Sequence, residues 1–213
     1  MGLDSQRQRA DRFLMPMAKR MLWLSPNAIT YLALLLSVAA ALAIFFSFTY
    51  NWLLLVAALL VALSGLFDAL DGKVAKLTNK TSKRGDFLDH VADRYADIFM
   101  IGAVAVSAWC NIYLGILALI GVLMTSYMGT QAQALGIGRM YAGLLGRADR
   151  IVLMFLIPLI QFFVIPFSAG GFFTVAGVSF SLMTLMMVWF AVIGNMTALQ
   201  RAAATWKALG KGL

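Results

Sequence analysis

All nine acidic residues of this 213-residue chain are aspartates, and six of them, Asp68, Asp71, Asp86, Asp89, Asp93 and Asp97, fall within residues 68–97. On a helix, Asp68 and Asp71 are three apart and Asp89, Asp93 and Asp97 four apart, so each set shares one face. Carboxylates gathered in apolar sequence cannot all stay ionised without a compensating charge. Insertion scales put the cost of each at the bilayer centre at ~3 kcal/mol. Oxygen donors in this number suit hard divalent cations, Mg²⁺, Mn²⁺ or Ca²⁺, and Mg²⁺ is commonly shared between a few carboxylates and substrate phosphates. Gly72 and Gly85 flank the acids and let a ligand approach the backbone. Lys73, Lys76, Lys80, Lys83 and Arg84 add charge for an anion. Metal plus phosphate is the chemistry this segment favours. Asp86 and Asp97 each fit a ligand role or a salt bridge to a basic neighbour.

The elements that hold these acids follow from composition. The chain is 62% hydrophobic and 12% charged, with a mean hydropathy of +0.87. Soluble domains are about 45–50% apolar and about 25% charged, so a water-soluble globule is excluded. A membrane-spanning helix takes ~20 apolar residues. Apolar runs fall at about 29–48, 52–71, 89–109, 112–135, 151–167 and 178–199, the third a span only if it tolerates several aspartates. No period-2 pattern competes with them. The sequence therefore predicts an all-α polytopic membrane protein with six transmembrane helices. Before them, Ala10, Phe13, Met17, Met21 and Leu24 repeat at helical spacing among basic residues. This predicts an N-terminal amphipathic juxtamembrane helix in the interface, kinked or interrupted at Pro16. The expected organisation is an interfacial cytoplasmic segment over 1–28, a six-helix transmembrane domain over 29–199 and a cytoplasmic tail over 200–213. Five basic residues spread through the first 28, with no small-residue cleavage site, do not read as a cleavable signal.

The 17 basic residues precede the first span, lie around 73–94, follow the fourth span or follow the sixth, and the connections at 49–51, 110–111 and 168–177 hold none. The positive-inside bias then places both termini and the charged loops in the cytoplasm, in a multi-pass cell-membrane protein. The net charge of +8 reads as a belt beneath anionic membrane lipids, and nucleic acid is not an expected partner. Cys110 is the single cysteine, which forbids an intrachain disulfide. His90 is the single histidine, which excludes a Cys/His zinc site. They read as a small residue at a far-side turn and an interfacial side chain.

If Trp52 and Trp109 anchor the far ends of the second and third spans, Asp68 and Asp93 each lie about 24 Å from their anchor, at ~1.5 Å per residue. Asp71 and Asp89 lie about 29–30 Å away by the same rise. Two antiparallel helices would thus set four carboxylates at two matched depths near the cytoplasmic margin.

The run Asp68-x-x-Asp71-Gly72-x-x-Ala75-Lys76, eight residues, Gly85-x-x-x-Asp89-x-x-x-Asp93 resembles the signature of the CDP-alcohol phosphotransferases. Seven of its eight fixed positions match, with Lys76 where arginine is usual; charge is kept but the bidentate fork is lost. Pro26-Asn27-x-x-Thr30 at the start of the first span fits the same family. The resemblance implies a six-span catalytic domain that works as a homodimer with Mg²⁺ or Mn²⁺, two ions in all. Asp68, Asp71 and Asp89 would hold the metal, with Asp93 a further ligand and also the general base on the acceptor hydroxyl. Asp68, Gly72, Ala75, Lys76 and Gly85 would meet the CDP-linked lipid, either CDP-archaeol or CDP-diacylglycerol. An alcohol is a poor nucleophile at neutral pH, so a positioned carboxylate that takes its proton agrees with this role.

Arg139, Arg147, Arg150 and Arg201 gather guanidinium groups on the same side as the aspartates, as binding an acceptor's phosphate requires. Ser126-Tyr127 through Gly146-Arg147-Ala148-Asp149-Arg150 resembles the inositol-phosphate branch of the family, that of the archaeal archaetidylinositol phosphate synthases. Basic residues follow that Ser-Tyr in the bacterial branch, whereas Gly129 and Gln131 stand here. The expected acceptor is inositol phosphate, with glycerol 3-phosphate or serine as alternatives. A divalent-cation transporter is disfavoured, because transporter sites lie near the midplane at repeat interfaces and no repeat is visible.

Overall fold

Ser25 opens the first long helix: its Oγ accepts from the Ala28 N–H at 3.2 Å, and Pro26 at the first helical position has no N–H to leave unpaired. The computed structural model describes residues 7–138 and 140–210, without the side chains of 7–12. Its helices are α1 (Arg7–Arg20), α2 (Pro26–Phe46), α3 (Leu53–Leu77), α4 (Lys83–Val106), α5 (Ile112–Ala134), α6 (Arg147–Val164), α7 (Leu182–Trp189) and α8 (Asn195–Leu209). Ser82 and Asn111 cap α4 and α5 with hydrogen bonds of 3.1 and 2.9 Å.

Five helical stretches are long and apolar enough to cross a membrane: α2, α3, α5, α6 with its 3₁₀ extension to Phe167, and Leu182–Leu209. The remaining long helix, α4, carries the expected third span at 24 residues but its charged half keeps it out of that class. Large apolar side chains such as Leu35, Leu42 and Leu59 point outward, while alanines (Ala33, Ala40, Ala57, Ala58, Ala96, Ala103) fill the interior. Small residues inside and bulky ones outside suit helices whose solvent is lipid.

The long helices close into a ring in the order α3, α2, α4, α5, α7–α8, α6 and back to α3. Because α2 stands between them, α3 and α4 keep their backbones apart, and side chains from both must reach across. Between α7 and α8, residues Phe190–Gly194 form a π-turn. Gly121 of α5 sits against it so closely that a Cβ there would lie 2.9 Å from the Phe190 carbonyl. Asn195 donates to Ala191 O at 2.7 Å and Thr125 to Gly194 O at 2.8 Å, so carbonyls freed by the wider turn are paired.

Four expectations change. The helix at Pro16 is continuous, and α1 packs on α3, with Ala18 buried against Ile29, Leu70 and Val74. Strands do occur: β1 (Phe173–Val175) and β2 (Val178–Phe180) pair as an antiparallel hairpin, so the last helical stretch starts at Leu182 and not at 178. Positive φ at Ala176 and Gly177 makes that tight turn. Helix α8 runs to Leu209, so residues 200–209 continue the bundle beyond the expected boundary at 199. Trp52 is 59% exposed, as an interfacial anchor should be, but Trp109 is 1% exposed. Its indole Nε1 donates to Ser47 Oγ at 2.8 Å and its ring stacks on Phe172 at 5.8 Å. Trp109 is a core residue beneath the hairpin.

Candidate active site

The charged half of the bundle opens into a cavity of about 690 Å³, within the ~300–1,000 Å³ range of ligand sites. Helix α3 contributes Asp68, Asp71, Gly72, Lys73 and Lys76 to its wall, α4 contributes Asp89, Asp93 and Arg94, and α5 contributes Thr125, Ser126 and Gly129. Arg147 and Arg150 enter from the start of α6, and Arg201 from α8. A Cβ on Gly72 would meet no atom within 4 Å, so that stretch of α3 backbone is open to a ligand. The first turn of α6, whose N–H groups lack helical partners, also lines the space and favours an anion. The Gly146 N–H is taken by Asp149 Oδ2 at 2.8 Å.

At the head of the cavity Asp68, Asp89 and Asp93 each offer an oxygen within 4.8 Å of the others. Side chains thus bridge helices that barely touch. Asp71 stands apart from this trio: its Oδ2 accepts from the Thr30 hydroxyl at 2.6 Å, and both residues are buried. Arg147 supplies the counter-charge, with Nη2 2.9 Å from Asp68 Oδ1 and 2.6 Å from Asp93 Oδ1. The latter contact lacks hydrogen-bond geometry, so Asp93 Oδ1 remains a buried acceptor with no donor. Three carboxylates whose oxygens converge, one of them held only by an ion pair to Arg147, fit a hard divalent cation.

The other expected residues divide. Arg150, 3% exposed, donates through Nη1 to Asp97 Oδ2 at 2.9 Å and to Ser126 Oγ at 3.3 Å. Asp97 is therefore a buried salt-bridge partner. Arg201 donates through Nε to Ala142 O at 2.8 Å and through Nη1 to Thr125 O at 2.7 Å, tying α8 to α5 and to the segment before α6. Ala75 and Gly85 lie outside the cavity lining; a Cβ on Gly85 would come 3.3 Å from Ser82 Oγ. Asp86 is exposed in the first turn of α4, 3.8 Å from His90 Nδ1. Arg139 lies outside the described residues. Sequence reasoning missed Thr30 as the partner of Asp71, although Pro26-Asn27-x-x-Thr30 had marked it. It also missed Arg94, whose Nη2 is 3.5 Å from Asp93 and 3.8 Å from Asp97. At the far side Cys110 donates to Asn111 O at 3.2 Å, and burial pushes its thiol up to about 11.

Residues 23–196 match the model of the family described as CDP-alcohol phosphatidyltransferase. The chain belongs to that family. It is a polytopic membrane enzyme of phospholipid synthesis, and the CDP-alcohol phosphatidyltransferase match runs from just before α2 to the start of α8, taking in most of the cavity lining but not Arg201. An archaetidylinositol phosphate synthase of Methanothermobacter thermautotrophicus is 30% identical over 198 residues, 93% of this chain and 91% of that protein. A second, of Pyrococcus horikoshii, is 32% identical over 138 residues, 65% of this chain and 71% of that protein. The fold matches the crystal structure of Mycobacterium tuberculosis phosphatidylinositol phosphate synthase with CDP-DAG bound. The TM-score is 0.70 at 24% identity, over 92% of this chain and 94% of that one. The same enzyme in complex with manganese and citrate gives a TM-score of 0.69 at 24% identity, over 91% and 88% of the two chains.

Proposed function

We propose that the enzyme transfers a phosphatidyl-type group, archaetidyl in the first instance, from a CDP-linked lipid to a hydroxyl of inositol phosphate and releases CMP. The observation that carries this reading is the convergence of Asp68, Asp89 and Asp93 at one cavity that Arg147, Arg150 and Arg201 also line. Cation ligands and guanidinium groups face the same space, as a reaction between a diphosphate and an anionic alcohol requires. The two archaetidylinositol phosphate synthases that resemble the chain support the choice of acceptor.

Asp68, Asp89 and Asp93 would hold Mg²⁺ or Mn²⁺, and Asp71, steadied by Thr30, would complete the set. When bound, the ions neutralise diphosphate charge and ease the departure of CMP. Lys76 and the open backbone at Gly72 receive the nucleotide. The acceptor oxygen attacks the lipid-side phosphorus, the P–O bond to the CMP phosphate breaks, and Asp93 takes the hydroxyl proton. Arg147 and Arg201, with Arg150 behind them and Arg139 nearby in sequence, set the acceptor's phosphate. The charged end faces the cytoplasm, where CDP-linked lipids and sugar phosphates meet at the headgroup layer, and the working unit is a homodimer.

The test is an acceptor panel with purified enzyme, Mg²⁺ or Mn²⁺ and a CDP-lipid, scored by CMP release. Inositol 1-phosphate should support turnover well above glycerol 3-phosphate, free inositol and serine. Preference for glycerol 3-phosphate or serine would keep the chemistry and overturn the acceptor; metal-independent release would overturn the metal reading.

A further inference from the structure

Arg147 occupies a position that binding an acceptor phosphate does not by itself explain. Its guanidinium grips Asp68 with two prongs, Nη2 to Oδ1 at 2.9 Å and Nε to Oδ2 at 3.3 Å. It also lies 2.6 Å from Asp93 Oδ1 and donates through Nη1 to the Asp93 carbonyl at 3.4 Å. These are carboxylates of the one group that, among the described residues, could hold a metal ion. Nearby cations are poorly placed to take over. Arg150 is committed to Asp97 at 2.9 Å, and Arg94 reaches Asp93 only at 3.5 Å. A divalent ion binds carboxylate oxygens at roughly 2.0–2.6 Å, which claims the lone pairs the guanidinium now uses and sets two cations against each other.

We propose that Arg147 is the resident counter-cation of the Asp68–Asp89–Asp93 cluster, which a divalent ion displaces, and that the displaced guanidinium then serves the phosphate of the acceptor. The inference rests on the metal reading above and deepens it. Arg147 begins α6 on the cavity wall, so a change of its side-chain rotamers alone moves the charge from the carboxylates into the open space shared with Arg201. Metal and acceptor phosphate then bind with positive coupling through one side chain, and the coupling is reciprocal. Either ligand, by drawing Arg147 to its own side of the balance, favours the binding of the other.

The experiment measures Mn²⁺ binding to the purified full chain in detergent, without CDP-lipid, by loss of the free-ion EPR signal. Wild type, Arg147→Met, Arg147→Lys and Asp89→Asn are compared, each with and without inositol 1-phosphate. Removing the competing guanidinium should tighten Mn²⁺ binding about tenfold in Arg147→Met, as expected for loss of a charge-assisted contact. Arg147→Lys, a point charge without the fork, should fall between, and Asp89→Asn should bind more weakly than wild type. Inositol 1-phosphate should tighten Mn²⁺ binding in wild type and leave Arg147→Met unmoved. Equal or weaker binding in Arg147→Met overturns the proposal while the difference between wild type and Asp89→Asn preserves the metal site. Wild type and Asp89→Asn binding alike would remove the metal reading and this inference with it. If Arg147→Met does not fold, Arg147→Lys decides: binding no tighter than wild type overturns the displacement.

Discussion

The two ends of the bundle both bury polar groups, yet they settle them in opposite ways. At the far end Gln161, fully buried, donates to Gly171 O at 2.9 Å and accepts from the Leu182 N–H at 2.8 Å. Ser47, Ser181 and Thr184 close the remaining bonds around Trp109. Gly171, at φ +94°, brings backbone so near that a Cβ would lie 2.9 Å from the Trp109 ring. Every one of these partners is uncharged. At the opposite end three carboxylates converge with one guanidinium between two of them, Asp93 Oδ1 and Arg150 Nε lack hydrogen-bond partners, and a large cavity adjoins. Buried polar networks that are fully paired rigidify, whereas partly paired ones hold free energy in reserve for a ligand. The far end locks the ring; the near end leaves interactions for a metal and substrates to complete.

Breaking this contrast starts at the near end. Asp93→Asn should lower kcat by about 10²–10⁴, the usual contribution of a positioned base. Its thermal unfolding without metal should stay close to wild type, because one of several mutually repelling charges is gone. Normal CMP release from that variant would end the assignment of the base.

The Arg150–Asp97 pair sharpens the boundary, since it lines the active cavity but is buried like the far-end residues. Arg150→Met should cost about 3–5 kcal/mol, because buried Asp97 is left with only the 3.8 Å contact of Arg94, and the double variant with Asp97→Leu should recover much of it. Denaturation of the single and double variants measures this; a single variant as stable as wild type would move Arg150 to the purely functional side.

Gln161→Leu should cost about 1–3 kcal/mol, because the Gly171 carbonyl and the Leu182 N–H lose their partner, with kcat per folded molecule unchanged. A drop in kcat without loss of stability would contradict the separation of the two ends.

The smallest effect expected is Thr30→Val, which removes the 2.6 Å bond to Asp71. It should weaken metal dependence several-fold, at about 1 kcal/mol, in a Mn²⁺ titration of activity, and Thr30→Ser should restore it.

Much of this was legible in the residues. Helical spacing and apolar runs locate every long helix, with ends off by up to six residues and by ten for the last, because in lipid only helices and closed barrels satisfy the backbone. The wrong ends have physical causes. Val178–Phe180 is as apolar as a helix start, but the turn at Ala176-Gly177 folds it back as a strand. Trp109 looks like an interfacial anchor until the hairpin covers it. Helical spacing puts Asp68 with Asp71 on one face and Asp89 and Asp93 with Asp97 on another, but spacing does not separate the three that converge from Asp71 and Asp97, which pair elsewhere. Nor does it reveal the separate partner of Asp71, because Thr30 lies 41 residues away.

Periodicity and charge count are local properties of the chain, and they are enough to turn carboxylates of two helices inward at the basic end of a membrane bundle. Which cation each carboxylate meets depends instead on how distant segments pack. Arg147 and Arg150 are three residues apart and chemically identical, yet one lies on Asp68 and Asp93 and the other on Asp97. Ion pairing falls off over a few ångströms, and those distances are set by where the bundle holds α6 relative to α3, which carries Asp68, and α4, which carries Asp93 and Asp97, and not by anything written in residues 147–150.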